Sequence, residues 1–237
     1  MTFAGKVVLV AGGTGGLGRS VTLAFLEAGA AVFVTYRDER ELEELKAAAG
    51  LNAAQLTASP TDVTDETAVQ GLVDGIIASN GRLDALVNTV GGYVGGVSLW
   101  ELDSKTFERM LALNLKSGFL LSRAAAKQML NQKQGAIVNV AAKAALDHGA
   151  GAAAYSASKA AALAMIDSLS ADLKGTGVRS NSILPSIIDT PLNRKAMAGA
   201  DFSKWPKPEQ IAKVVLFLCS DDAKVVHGAA IPVYGND

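Results

Sequence analysis

Tyr155 and Lys159 carry the first chemical signal in this chain of 237 residues. Four positions apart, they project from one face of a helix, one turn from each other. A phenol with its ordinary pKa of about 10 is a poor proton donor at neutral pH. An ammonium beside it stabilises the phenolate, lowers that pKa and makes the tyrosine a usable general acid or base. Alone the pair is a weak signal, because Tyr-x-x-x-Lys also arises as one face of an ordinary amphipathic helix. Thirteen positions before Tyr155 stands Ala142, which brings no polar side-chain group. Cys219, the one cysteine, lies in the apolar run 214–219 and reads as a buried thiol without an intrachain disulfide. His148 and His227 are the only histidines and stand far apart, so no metal site is expected.

A second chemical signal is Gly12-Gly13-Thr14-Gly15-Gly16-Leu17-Gly18, between a short apolar run and a helical pattern. Gly12, Gly16 and Gly18 fall at the spacing Gly-x3-Gly-x-Gly. Glycines let the backbone turn sharply and approach a pyrophosphate, and the following helix offers unpaired N–H groups and a positive dipole end. A flexible turn is the plainer reading, but the place between strand and helix favours dinucleotide binding, with Thr14, Gly15 and Leu17 in the contact set. After the second apolar run comes Thr35-Tyr36-Arg37-Asp38. An acidic residue there would take the adenosine ribose 2′-hydroxyl and select NAD(H). Tyr36 occupies that place and Arg37 follows, a guanidinium suited to a 2′-phosphate. NADP(H) is the favoured cofactor and NAD(H) the alternative. Asp38 is placed either to neutralise Arg37 or to cap the next helix, and Arg37 also reads as a surface residue.

These side chains need a frame, and the chain supplies an alternating one. Strands are expected at residues 7–11, 31–35, 54–57, 83–88, 136–140, 179–184 and 230–233, and helices at 16–28, 39–49, 66–79, 104–130, 153–174 and 208–219. The early strands are nearly continuous apolar runs, as in strands buried on both faces. The alternation predicts an α/β, doubly wound parallel sheet of seven strands flanked by helices on both faces. No linker divides the chain, so residues 1–237 are expected to form one domain. Residues 190–207 form the longest stretch without a clear pattern, a length typical of a lid. Hydrophobic residues make up 49% and charged residues 19%, which argues for a packed core and against disorder. A formal net charge of −1 gives no case for nucleic acid. No apolar stretch is long enough for a membrane span or a cleavable signal, and a soluble cytoplasmic protein is expected.

Gly12-x3-Gly16-x-Gly18, Asn114, Tyr155-x-x-x-Lys159 and Pro185, in that order, resemble the short-chain dehydrogenase/reductase family over essentially the whole chain. Asp62-Val63 is similar to the family's adenine-contacting pair. Asn88-Thr89-Val90-Gly91 is similar to its Asn-Asn-Ala-Gly turn, with Thr89 replacing the second Asn. Pro185-Ser186-Ile187-Ile188-Asp189-Thr190 is similar to its Pro-Gly-x-x-x-Thr segment beside the nicotinamide, with Ser186 replacing Gly. The resemblance implies a Rossmann-type fold, NAD(P)H-dependent oxidoreductase activity and cofactor contacts from Tyr36, Arg37, Asp62, Val63, Asn88, Val90, Gly91, Pro185, Ile188 and Thr190. It implies that Tyr155 donates or accepts the proton, while Lys159 lowers its pKa and holds the nicotinamide ribose. Asn114 would order a water in a relay to Lys159; a buried helix-bending residue is its plainer reading.

Ala142 departs from the family, whose members usually place a serine there to bond the substrate carbonyl. A methyl group can neither donate nor accept, and one lost oxyanion donor costs about 10²–10³ in rate. Three readings stay open: a dinucleotide-binding pseudo-enzyme, replacement of the donor by Lys143 or a backbone N–H, or a substrate that does not need it. Segments 91–96, 141–147 and 189–205 resemble the dihydropteridine reductases, a divergent branch lacking the serine, and favour the third. Those enzymes, unlike this chain with Tyr36-Arg37, generally carry the acidic NADH-selecting residue. An imine, quinonoid or activated carbonyl compound is the expected acceptor, and an ordinary alcohol dehydrogenase with a displaced donor is a further alternative. Ala142, Lys143, Tyr93, His148, Asn193 and Met197 are the candidate substrate residues, with Trp100 and Trp205 as further candidates for a flat apolar pocket. The small residues Ala160, Ala161, Ala162 and Ala164 allow close helix approach, and the resemblance implies a homodimer or homotetramer.

Overall fold

The computed structural model describes residues 1–236. Seven parallel strands form one sheet: β1 (Val7–Ala11), β2 (Ala31–Thr35), β3 (Leu56–Ser59), β4 (Ala85–Asn88), β5 (Gly135–Val140), β6 (Val178–Pro185) and β7 (Ala230–Val233). Their order is β3-β2-β1-β4-β5-β6-β7. The helices are α1 (Gly16–Glu27), α2 (Glu39–Ala49), α3 (Glu66–Asn80), α4 (Ser104–Leu111), α5 (Ser117–Gln132), α6 (Ala153–Asp172), α7 (Pro191–Ala196) and α8 (Pro208–Cys219).

Strands β1, β4 and β5 are buried along their whole length, which explains their nearly continuous apolar runs, broken only by the buried, paired Asn88 and Asn139. Side chains of β1 alternate between two cores. Val8 and Val10 pack with Val21, Phe25 and Val215 on one face, while Leu9 packs with Val73, Ile76, Leu121 and Met129 on the other. This is the Rossmann-type doubly wound arrangement. The chain leaves β1 towards β2 on one side, and β4 pairs with β1 on the other. The loops after β1 and β4 therefore diverge, and the crevice opens at the C-terminal edge of the sheet, where such folds take ligands.

Four local expectations are corrected. The strand expected at 54–57 begins at Leu56, because Gly50, at φ 55°, ends α2 and residues 50–55 coil as a 3₁₀ turn. The strand expected from 83 begins at Ala85, since Leu83 N–H is taken by the Gln132 side chain at 2.8 Å. The helix expected at 104–130 is interrupted by a π turn over Ala112–Lys116. The 190–207 stretch is built rather than bare: Thr190 caps α7, Pro191 opens it, and a 3₁₀ turn follows at Phe202–Lys204. Trp205 within it is only 7% exposed and packs on the Phe202 ring at 4.9 Å. Among the described residues no helix is long and apolar enough to cross a membrane.

The first turn of α1 rests on the strand-end loop with no room for a side chain. A Cβ on Gly18 would lie 2.0 Å from the Gly12 carbonyl oxygen and 2.7 Å from Thr89 Oγ1. Gly18→Ala is expected to destabilise the fold by about 1–3 kcal/mol in urea unfolding. An unchanged midpoint would mean that α1 can slide away from the loop at no cost.

Candidate active site

The loops after β1, β4, β5 and β6 meet at the open edge of the sheet. The first turns at Gly12, whose φ of 75° suits glycine. Gly12 N–H donates to Thr35 Oγ1 at 2.8 Å and Gly13 N–H to the Thr35 carbonyl at 3.2 Å, tying the loop to the end of β2. Thr89 Oγ1 donates to the Ala11 carbonyl at 2.7 Å, so the replacement for the family's second Asn joins the loops after β4 and β1. Gly15 precedes α1 and gives it no side-chain cap, and no acidic residue lies in its first turn. An uncapped helix start behind a glycine cradle fits a pyrophosphate. Thr190 closes the far side: a Cβ on Gly16 would lie 2.9 Å from its methyl.

At the end of β2, Arg37 is exposed. The Asp38 carboxylate accepts from Arg40 N–H at 2.8 Å and caps α2, which decides between its two readings. Tyr36 donates its hydroxyl to Glu39 at 2.8 Å, and that bond raises its pKa. Bonds from the Thr64 hydroxyl and N–H, with a smaller effect from Arg37, hold the exposed Asp62 carboxyl below its usual range. Val63 is buried beside it.

Asn88 shapes the loop after β4: its Oδ1 accepts from Val90 N–H at 3.2 Å and its Nδ2 donates to Asn139 at 3.1 Å. Gly91 then passes over the reactive cluster, where a Cβ would come within 2.9 Å of Asn114 Oδ1 and 3.1 Å of Lys159 Nζ. Asn114, 2% exposed in the π turn, accepts from Gly92 N–H at 2.9 Å. Its amide protons go to the Gly92 carbonyl at 3.0 Å and Ser158 Oγ at 2.9 Å, and Ser158 donates to the Tyr155 carbonyl at 2.8 Å. Asn114 thus braces α6 against the loop after β4, as its helix-bending reading anticipates.

Lys159 is 5% exposed and donates to the Val140 carbonyl at 2.9 Å. Burial draws its ammonium down to about 8. Tyr155 moves the other way: burial, then the Tyr93 phenol, pushes it up to about 12. The expectation that Lys159 acidifies Tyr155 is therefore corrected for the cofactor-free protein. Desolvation dominates, and the ammonium is itself disfavoured and turned to Val140.

Ala142 is 7% exposed at the end of β5, followed by Lys143, whose Nζ lies 5.2 Å from the Tyr234 ring centroid. Tyr93 is 67% exposed and meets Tyr155 edge to face, with centroids 5.0 Å apart. His148, Met197 and Trp100 are exposed. Asn193 donates a side-chain N–H to the Ile188 carbonyl at 2.9 Å, in the loop that follows β6. Sequence reasoning missed Ser158, hidden at a variable position of Tyr-x-x-x-Lys, and Thr35, whose bond to Gly12 crosses 23 residues. Two hollows of about 610 and 990 Å³ lie apart from this cluster, one beside Arg194 and Trp205, the other at the opposite sheet edge near Lys6 and Arg179. Among the described residues no group of three or more His, Cys, Asp or Glu could hold a metal ion.

Residues 6–201 match the short chain dehydrogenase family. The chain belongs to the short-chain dehydrogenase/reductase family. It is 30% identical to the 3-oxoacyl-(acyl-carrier-protein) reductase FabG of Thermotoga maritima, over 99% of this chain and 98% of that one. Among solved structures, ElxO with NADP bound is similar at a TM-score of 0.91 and 26% identity, covering 97% of each chain. NAD+-bound xylitol dehydrogenase is similar at 0.91 and 28% identity, covering 99% of this chain and 100% of that one. As a short-chain dehydrogenase/reductase, the protein is an NAD(P)-dependent oxidoreductase that acts on a small molecule, and the non-catalytic reading of Ala142 is set aside.

The burial of Lys159 has a thermodynamic signature. Its folded pKa of about 8 lies below the ordinary 10.5, so between those values the unfolded chain binds the extra proton. Without cofactor, the stability of the wild type relative to Lys159→Met is expected to rise with pH across that window, by up to about 3 kcal/mol. Denaturant unfolding of both proteins from pH 7 to 10.5 measures it, and a flat difference would contradict the assignment.

Proposed function

We propose that this enzyme reduces a small conjugated acceptor (a quinonoid dihydropterin, an imine or an activated carbonyl compound) without a catalytic serine. The observation that carries the reading is Ala142, buried at 7% exposure two residues after the Val140 carbonyl that takes the Lys159 ammonium. A carbonyl turning into an alkoxide needs a donor at that place. A conjugated acceptor spreads the developing charge and needs only a proton. The likeness of segments 91–96, 141–147 and 189–205 to the dihydropteridine reductases points to the same class. Tyr93, edge-on to Tyr155, offers a wall for a flat ring. Ala142, Lys143, Tyr93, His148, Asn193 and Met197 are assigned to the substrate side.

The nicotinamide, when bound, supplies the hydride. At about 12 the Tyr155 phenol stays protonated at neutral pH, so it holds the proton that the reductive direction consumes, as a weaker acid than a free phenol until cofactor and acceptor change its surroundings. Lys159 holds the nicotinamide ribose. Asn114 orders a relay water through its main chain, since its amide protons are committed to Gly92 and Ser158. Gly12, Thr14, Gly15, Gly16, Leu17 and Gly18 cradle the pyrophosphate, Asp62 and Val63 meet the adenine, and Asn88, Val90, Gly91, Pro185, Ile188 and Thr190 frame the nicotinamide. NADP(H) is favoured over NAD(H), because Arg37 is exposed and Asp38 is occupied as a helix cap. Residues 1–237 act as one dinucleotide-binding and catalytic domain in the cytoplasm. The partly exposed Phe119 on α5 and small residues on α6 support a homodimer or homotetramer through those helices.

A second reading, an ordinary carbonyl reductase whose donor is displaced to Lys143, is favoured by the position of Lys143 directly after Ala142. Tyr155→Phe is expected to cut nicotinamide oxidation by about 10²–10⁴ across imine, quinonoid pterin and ketone acceptors; equal rates for variant and wild type would overturn the proposal. Ala142→Ser separates the readings: a rise in simple ketone reduction of about 10²-fold is expected if the donor is missing, and an unchanged ketone rate would favour Lys143.

A further inference from the structure

The loop after β1 holds one contact that pyrophosphate binding does not explain. Buried Thr14 donates its hydroxyl to Glu41 Oε2 at 3.0 Å. Glu41 is exposed in the first turn of α2, three residues after the capping Asp38. A carboxylate therefore reaches from α2 back to the glycine cradle, on the side where Thr35 ties that cradle to β2. Neighbouring charged groups are engaged otherwise. Asp38 caps α2, Glu39 accepts from Tyr36, and Arg19 and Arg40 both pair with Glu44. Arg37 is exposed and makes no direct ion pair among the described residues.

We infer that Glu41 is a specificity-determining residue that disfavours a 2′-phosphate on the adenosine ribose and offsets Arg37. The inference rests on the dinucleotide reading above. A ribose hydroxyl can donate to a carboxylate, whereas a phosphate dianion cannot and is repelled by it. The Thr14 hydroxyl has one proton, and while Glu41 accepts it a phosphate oxygen cannot. Arg37 pulls the other way through charge-assisted bonds to phosphate. With both present, Glu41 narrows the preference for a phosphorylated dinucleotide that Arg37 confers without reversing it.

Calorimetric titration with 2′,5′-ADP and with 5′-ADP tests this without turnover. Glu41→Gln is expected to tighten 2′,5′-ADP by about tenfold and to leave 5′-ADP unchanged or weaker. Arg37→Ala is expected to weaken 2′,5′-ADP alone. Glu43→Gln removes a charge of α2 that pairs with Lys46 instead of Thr14, and is expected to change neither affinity by more than about twofold. Glu41→Gln moving neither ligand, moving both equally, or matching Glu43→Gln would overturn the assignment while leaving Arg37-dependent binding intact. Failure of the wild type to bind either ligand would remove the dinucleotide reading and this inference with it.

Discussion

A nearly buried ammonium whose bonded partner among the described residues is one backbone carbonyl is the constraint around which this structure is arranged. Lys159 lies beneath Gly91, at a point where a methyl group on the loop would strike both it and Asn114. Desolvating a cation is costly, and one carbonyl from Val140 offsets only part of that cost. The position is held because other elements are fastened around it. Asn114 joins the loop after β4 to α6, Ser158 passes the connection to the Tyr155 backbone, and Asn88 ties β4 to β5. The Lys159 and Tyr155 pKa values diverge from their ordinary values in directions that both favour neutral groups. Both shifts have one leading physical cause, the loss of solvent around the two side chains.

That state has a bearing on Ala142. A serine would bring a hydroxyl to the end of β5; Ala142 leaves a buried methyl there, and Tyr93 meets Tyr155 edge-on. The 190–207 stretch is built as well. The Thr190 cap, the buried Trp205 and the bond from Asn236 N–H to the Lys204 carbonyl at 3.0 Å shape that side of the crevice before any ligand arrives.

Much of the frame was legible in the chain itself, because alternation of apolar runs with amphipathic helices is a local property. Gly12, Gly16, Gly18, Tyr155 and Lys159 were legible for the same reason: their spacing is short and their backbone demands are specific. What escaped is non-local. The π turn in the 104–130 helix accompanies the pairing of Asn114 with Gly92, 22 residues away, and Ser158, 44 residues away. Trp205 reads as a lid residue in sequence, and its burial follows from its packing against Phe202 and from chain folding around 204–206. The role of Asp38 could not be separated from charge neutralisation until its carboxylate was seen on Arg40 N–H. The upward shift of Tyr155 depends on burial and on Tyr93, neither of which a motif encodes.

The central claim is that the proton delivered to the acceptor resides on Tyr155 before the reaction begins. It is tested most directly by carbon-13 NMR of ring-labelled tyrosine, with Tyr155 assigned by comparison with Tyr155→Phe and titrated from pH 6 to 11. The account predicts a neutral phenol throughout that range in the cofactor-free protein, consistent with a pKa of about 12. A Tyr155 resonance already at the phenolate position near pH 7 would contradict it.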